Sequence, residues 1–135
     1  MGTWQEVLDQ HAYLFTDVQP GASIAVAPCS PPRANVKQVR DPVPMQIWMR
    51  GPDRMAVVAS EYRGLKTLAS DVLFLPEEGA LEVALAHDQP MSELKRELRD
   101  GRMLVMVMLS RNQLRERGWS DLFEALGLPF QGTCR

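Results

Sequence analysis

The chain has 135 residues, of which 45% are hydrophobic and 24% are charged, with a formal net charge of −2. These proportions are typical of a soluble globular protein, and they exclude a disordered tail, a collagen-like rod and a small disulfide scaffold. No apolar run approaches the roughly 18 residues that a membrane span requires. The net charge also argues against binding nucleic acid over the whole surface. We expect a single globular domain over residues 1–135.

Charge is unevenly distributed along the chain. Residues 29–67 carry a net charge of +4 and residues 91–118 carry +3, whereas residues 68–90 carry −5. Such blocks either form opposed faces or neutralise one another across a sheet, and we favour the second interpretation. Cys29 and Cys134 are far apart, and the N-terminal segment lacks the basic and apolar regions of a secretory signal. Both features favour a cytoplasmic protein with free thiols.

The N-terminal third predicts a helix, a strand and a proline-rich stretch. Thr3 and Glu6 form a T-x-x-E capping box, followed by apolar residues at the three- and four-residue spacing of an amphipathic helix. The segment 23–27 is short and mostly apolar, which predicts a strand. Five of the ten prolines lie between residues 28 and 44, which predicts a loop or an extended edge segment.

The middle of the chain predicts four strands in two hairpins. Residues 45–49 and 54–59 flank the turn sequence Arg50-Gly51-Pro52-Asp53. Residues 72–75 and 81–86 flank a turn with proline early and glycine late, which fits a β-turn. We therefore expect both pairs to be antiparallel neighbours.

The most hydrophobic run of the chain is MLVMVML, at residues 103–109. Seven apolar residues without alternation predict a central strand that is buried on both faces. Ser92 begins a predicted helix over 92–100, which Gly101 ends. If the central strand paired in parallel with residues 81–86, this helix would be the right-handed crossover between them.

The C-terminal part predicts two short helices. Ser110 and Gln113 form a second capping box, and Gly118 ends that helix. Ser120 caps another predicted helix, which Gly127 and Pro129 end. The predicted fold class is therefore α+β (or α/β). We expect a mixed sheet of about five strands, covered by the N-terminal helix, one crossover helix and this C-terminal pair.

Two places carry the candidate catalytic side chains. His87 and Asp88 follow the predicted strand 81–86, where a histidine could act as a general base or contact a ligand. We favour the simpler interpretation, a solvated loop histidine with Asp88 as a helix cap. Cys29 also follows a predicted strand, but no base adjoins it in sequence and the nearby prolines remove the backbone donors of a phosphate loop.

No metal site or cofactor is predicted. His11, His87, Cys29 and Cys134 are the only nitrogen and sulfur ligands, and their spacing matches no zinc motif. His11 lies on the apolar stripe of the first helix, where we expect a packed, hydrogen-bonded histidine. Both standard nucleotide-binding glycine loops are absent from the sequence.

Basic residues are the candidate binding groups. A protein interface would use the first positive block, whose members are Arg33, Lys37, Arg40, Arg50 and Arg54. Alternatively, the C-terminal pair resembles a helix-turn-helix, in which Arg111, Arg115 and Arg117 would contact nucleic-acid phosphates. The would-be reading helix carries Asp121 and Glu124 and no base, which argues against that interpretation.

Three functions follow from these observations. The leading hypothesis is a small protein-binding or adaptor module without catalysis. Its partners would be proteins, among them a second copy of the chain itself. The first alternative is a nucleic-acid-binding protein that uses the arginine-rich patches. The second is a small enzyme that uses His87 and Cys29.

Overall fold

A computed structural model describes residues 3–27, 43–62 and 69–128 of the chain. Five β-strands, five α-helices and one 3-10 helix lie in this part. The strands are β1 (Ser23–Val26), β2 (Val43–Arg50), β3 (Met55–Tyr62), β4 (Val72–Pro76) and β5 (Met103–Val107). The α-helices are α1 (Trp4–Gln10), α2 (Ala80–Ala86), α3 (Pro90–Asp100), α4 (Arg111–Arg117) and α5 (Ser120–Ala125), and the 3-10 helix is Ala12–Phe15.

The five strands form one mixed sheet in the order β3-β2-β1-β4-β5. β1 and β4 are parallel, and the other neighbours are antiparallel. The first predicted hairpin is confirmed as β2–β3, where the N–H of Gly51 donates to the carbonyl of Arg54 (2.8 Å). A five-stranded mixed sheet with an N-terminal helix and a C-terminal helical pair confirms the α+β expectation.

The main core lies between one face of the sheet and the helices, all of which contribute side chains to it. The ring of Trp48 from β2 packs 5.4 Å from that of Trp4 in α1 and edge-on to Phe74 of β4. The predicted capping box begins α1. The N–H of Glu6 donates to Thr3 Oγ1 (3.2 Å), and the N–H of Thr3 donates to Glu6 Oε1 (3.1 Å). These contacts anchor the N-terminal helix on the sheet.

The opposite face of the sheet carries a second, smaller apolar cluster. Its buried members are Ala25, Ala27, Tyr62 and Leu73. The partly buried side chains packed against them are Met45, Ile47, Leu75 and Met108. No described helix contributes a side chain to this cluster, so the sheet is apolar on both faces.

The prediction of a strand at residues 81–86 is wrong, because these residues form α2. Alternating Leu81, Val83 and Leu85 imitate a strand, but the intervening residues are strong helix formers. In the helix, Ala80 and Ala84 fall on one face and are buried in the core. The turn before them therefore opens a helix, and the second predicted hairpin does not form.

The prediction that residues 103–109 form the central strand is also wrong. β5 is extended over Met103–Val107, but it lies at the end of the sheet and pairs antiparallel with β4. The middle strand is β1, between β2 and β4, and the residues of β1 and β4 are almost entirely buried. The helix predicted at 92–100 is present as α3, but together with α2 it joins the antiparallel neighbours β4 and β5 and makes no crossover between parallel strands.

The C-terminal helical pair turns at Gly118 as predicted, and α4 begins at its predicted capping box. The prediction of Ser120 as the cap of α5 is wrong, because Trp119 is the N-cap residue and no side chain caps this helix. The N–H of Gln113 donates to Ser110 Oγ (3.1 Å) at the start of α4. α4 ends at Gly118, whose φ of +93° is in the left-handed region. A Cβ at this position would collide with the backbone carbonyl of Asp17, so the loop before β1 packs against a bare glycine. Trp119 follows and is fully buried in the main core.

Candidate functional site

The outer edge of β5 presents backbone groups that no strand of the described residues pairs with. The N–H of Glu77 donates to the carbonyl of Arg102 (2.9 Å). The N–H of Met108 donates to the carbonyl of Asp71 (2.9 Å). Because alternate residues of an antiparallel strand bond to opposite sides, the even-numbered residues face β4. The residues whose N–H and C=O groups face outward are Met103, Val105 and Val107.

The side chains of β5 are unusually apolar for an edge strand. Leu104 is 51% exposed and Met106 is 38% exposed, and both lie on the sheet face away from the helices. Natural edges are commonly protected by charged residues, proline or a bulge. β5 contains neither a charged residue nor a proline, and its uninterrupted pairing with β4 shows no bulge. This edge therefore has the chemistry of a surface on which another strand can pair.

The opposite edge of the sheet is treated differently. Gln5 of α1 places its side-chain amide against β3, where its Oε1 accepts from the N–H of Val57 (2.8 Å) and its Nε2 donates to the carbonyl of Met55 (2.9 Å). The amide thus takes the place of a neighbouring strand's peptide group. Further along β3, the charged residue Glu61 stands near the strand's end. The β3 edge is consequently blocked over its first half and charged near its end.

A pair of buried carboxylates lies four residues apart on α3. Glu93 is 4% exposed and Glu97 is 0% exposed, and neither oxygen of Glu97 has a hydrogen-bond partner. Burial, followed by the charge of Glu93, raises the pKa of the Glu97 carboxyl from 4.5 to about 7. Arg102 opposes this shift and Glu77 adds to it. The loss of solvation is thus the main cause of the raised pKa of Glu97, and repulsion by neighbouring carboxylates is secondary.

The cationic side chains near these two carboxylates form ion pairs with Glu93. Arg96 Nη1 lies 3.4 Å from Glu93 Oε1, and Arg102 Nη2 lies 3.7 Å from Oε2. Arg102 is shared, because its Nη2 also lies 3.5 Å from Asp100. His87 Nε2 is 3.9 Å from Glu93 Oε1. These ion pairs include Glu93 and not Glu97, so burial favours the protonated form of Glu97 below about pH 7.

Asp71 forms a second buried charge centre, and this one is fully paired. Arg117 donates from Nε to Oδ2 (3.0 Å) and from Nη2 to Oδ1 (3.1 Å). Trp119 Nε1 donates to Oδ2 (2.9 Å). The hydrogen bond to Asp71 raises the pKa of the Arg117 guanidinium. These bonds connect the end of α4 to the start of β4. They also engage the guanidinium of Arg117, which the sequence indicates as a candidate phosphate contact.

A surface pocket of about 320 Å³ opens where the parallel strands β1 and β4 end. It is lined by Val26, Pro44, Met45, Gln46, Pro76, Glu77, Glu78, Gly79, Leu81 and Glu82. All the charged side chains in this lining are acidic, so the negative block of the sequence concentrates here. Arg50 and Arg54 stand at the other end of the sheet, at the β2–β3 turn. Charge is thus separated along the strands.

The structure places His87 and Asp88 between α2 and α3, not after a strand. His87 Nδ1 accepts a hydrogen bond from the N–H of Gln89 (2.9 Å), which leaves Nε2 as the protonated nitrogen of the neutral ring. The prediction of Asp88 as a helix cap is wrong, because Gln89 is the N-cap residue of α3 and no side chain caps it. Cys29 lies outside the described residues, so the hypothesis of an enzyme that uses His87 and Cys29 stays a prediction.

The basic candidates divide into several environments. Arg33, Lys37 and Arg40 lie outside the described residues. Arg54 is exposed and lies 3.4 Å from Asp9, whereas Nε of Arg50 is buried without a hydrogen-bond partner.

The candidate phosphate contacts lie on α4. Arg111 and Arg115 are both exposed there, and Arg115 donates to Asn112 (3.4 Å). Arg117 is partly exposed and pairs with the buried Asp71. The structure therefore leaves two of these three arginines fully on the surface, and the guanidinium of the third is engaged by Asp71.

Sequence reasoning missed the two features that stand out in the structure. The open edge was hidden because an unbroken apolar run has the same pattern in a central strand and in an unprotected edge strand. The carboxylate pair had a signal, since Glu93 and Glu97 are one helical turn apart beside the apolar stripe of Met91, Leu94 and Leu98. Burial of both carboxylates depends on how α3 packs, which spacing alone does not show.

No protein-family model matches this chain, and no curated protein shows significant similarity to its sequence. None of the helices in residues 3–27, 43–62 and 69–128 has the length and apolarity needed to cross a membrane. Within the same residues, no three histidine, cysteine or acidic side chains come together as metal ligands. The candidate site is therefore argued from the geometry alone.

Proposed function

We propose that the protein is a protein-binding module that takes up an extended strand of its partner along the outer edge of β5. The observation that carries the proposal is the open, uncharged edge of β5 with Leu104 and Met106 exposed beside it. The proposal keeps the cytoplasmic location and the absence of catalysis that the sequence favours. It assigns the leading function to a defined surface.

Strand addition would satisfy the outward backbone groups of Met103, Val105 and Val107. Each main-chain hydrogen bond contributes about 1 kcal/mol net, and side chains at alternate positions supply selectivity. Leu104 and Met106 would be covered by the partner's side chains on the face away from the helices. A partner strand with apolar residues at alternate positions fits both requirements.

The separated charges favour a partner with a charge pattern of its own. The acidic pocket lies at the end of the sheet where β1 and β4 finish, and Arg50 and Arg54 lie at the other end. Complementary charges mainly orient a partner and speed its encounter, while the buried contacts hold it. The arginines of the predicted positive side therefore contribute orientation in this proposal.

A selection from a random-peptide display library tests the proposal. We expect selected peptides to adopt alternating apolar patterns and to shift the amide NMR signals of Met103, Val105 and Val107. The variant Leu104→Lys places a charge on the binding face and should weaken each peptide by at least about tenfold. Val83→Lys is the matched control, because Val83 on α2 is 52% exposed and far from the edge in sequence.

Two outcomes would count against strand addition at β5. One is a library that yields no peptide affecting the amide signals of this strand. The other is a set of peptides whose affinity falls equally in Leu104→Lys and Val83→Lys, since a general effect of added charge would then explain the loss.

A further inference from the structure

We infer that the partner strand is supplied by a second copy of this chain, in an antiparallel pair of β5 strands whose twofold axis passes beside Val105. The inference rests on the proposed function, because it names the occupant of the same edge. It depends on three features of β5: its symmetric register, its lack of charge and its position at the one end of the described sheet that no side chain blocks.

The register follows from which residues face outward. Residues 103, 105 and 107 carry the unpaired backbone groups, and residue 105 is their midpoint. A twofold axis at Val105 places Val105 opposite its own copy and Met103 opposite Val107 of the other protomer. All three outward residues of both strands are then hydrogen-bonded, which a shift by one residue would prevent.

The same axis brings the exposed side chains together. Leu104 of one protomer lies opposite Met106 of the other, on the face away from the helices, and the second such pair is related by symmetry. These are non-hydrogen-bonded positions, where side chains approach each other most closely in an antiparallel pair. The two most exposed apolar residues of that face of β5 thus cover each other.

Electrostatics permit the pairing. Met103–Val107 contains no charged residue, and continuing the register places Arg102 opposite Met108 of the other protomer. No like charges therefore meet across the paired strands, although both copies have the same net charge of −2. An isologous contact of this kind uses the same patch on both protomers and closes by itself.

Sedimentation velocity over a roughly hundredfold range of protein concentration tests the association. We expect a reversible monomer–dimer equilibrium for the wild-type protein and for Val83→Lys. Leu104→Lys should remain monomeric at the highest concentration, with an unchanged circular-dichroism spectrum. A wild-type monomer at every concentration, or a dimer that Leu104→Lys leaves intact, would overturn the inference.

Disulfide formation tests the register. In a background with Cys29→Ser and Cys134→Ser, a mixture of L104C and M106C should crosslink rapidly under mild oxidation, because these positions are directly opposite. Either variant alone should crosslink at least about tenfold more slowly, since its two copies lie diagonally across the twofold axis. Equal rates in all three samples would contradict the register.

The two proposals fail in different ways. Peptides that bind β5 while the protein stays monomeric would overturn the second-copy inference and leave strand addition standing. A dimer that survives Leu104→Lys, together with an absence of β5-binding peptides, would overturn both proposals.

Discussion

We expect the variant Glu97→Gln to be more stable than the wild-type protein above neutral pH. Glu97 is completely buried, neither carboxylate oxygen has a hydrogen-bond donor, and Glu93 lies one helical turn away. Above neutral pH the wild-type protein must hold an ionised Glu97 in a buried site or open that site to water. Glutamine has nearly the same shape and carries no charge, so the substitution removes this cost without leaving a cavity.

The magnitude follows from the pKa of Glu97, which rises from 4.5 in the unfolded chain to about 7 in the folded protein. Between these values the folded state binds a proton that the unfolded state has released, so the free energy of unfolding falls as the pH rises. At 1.36 kcal/mol for each pKa unit, the full loss is about 3 kcal/mol. The stability is present below about pH 4.5 and is lost once the pH passes about 7.

Urea denaturation of both proteins at about pH 4.5 and about pH 8 measures the effect. We expect the two to be similar at the lower pH and Glu97→Gln to gain up to about 3 kcal/mol at the higher pH, which corresponds to about 10 °C in Tm. Glu124→Gln is the control, because Glu124 is an exposed carboxylate on α5. An advantage over the wild-type protein that does not grow with pH would show that ionisation of Glu97 does not destabilise the fold.

Two further substitutions test how the C-terminal helices are held. Asp71→Asn removes the charge that pairs with Arg117 and replaces one of the two oxygens that accept from Arg117 and Trp119 with an NH2 group. Since the guanidinium is partly exposed, we expect a loss of about 2 kcal/mol in urea denaturation and a shift in tryptophan fluorescence. Gly118→Ala should cost about 3 kcal/mol or more by thermal denaturation, because left-handed strain adds to a backbone collision, whereas Gly79→Ala has a similar φ in open space and should cost only about 1 kcal/mol; equal losses would show that the collision is relieved.

Local sequence signals predicted the elements whose ends are fixed by neighbouring residues. The capping boxes at Thr3 and Ser110, and the glycine that follows α4, act within a few residues, so their geometry is written in the sequence. The β2–β3 hairpin has the same local character, since its turn joins strands that are adjacent in the chain. The α+β fold class could be predicted from these locally determined elements.

Non-local choices account for the errors. Residues 81–86 alternate like a strand, and the burial of Ala80 and Ala84 on one face adds to the helix propensity of the intervening residues in favour of a helix. An apolar strand is equally compatible with the middle and the edge of a sheet, and the position of β5 is set by β1 pairing with β4 across a long stretch of chain. The open edge, and with it the candidate site, therefore emerged only from the topology.

The side-chain amide of Gln5, bonded to the edge of β3, would limit growth of the sheet beyond the inferred β5–β5 dimer. A sheet with two free ends can add subunits indefinitely and grow into a fibre, as repeated strand stacking does in amyloid. In the inferred β5–β5 dimer, each subunit would use up its unpaired edge in the contact and keep outside the edge that Gln5 partly occupies. Assembly would then stop at a ten-stranded sheet, and a higher protein concentration would raise the number of such dimers without lengthening them.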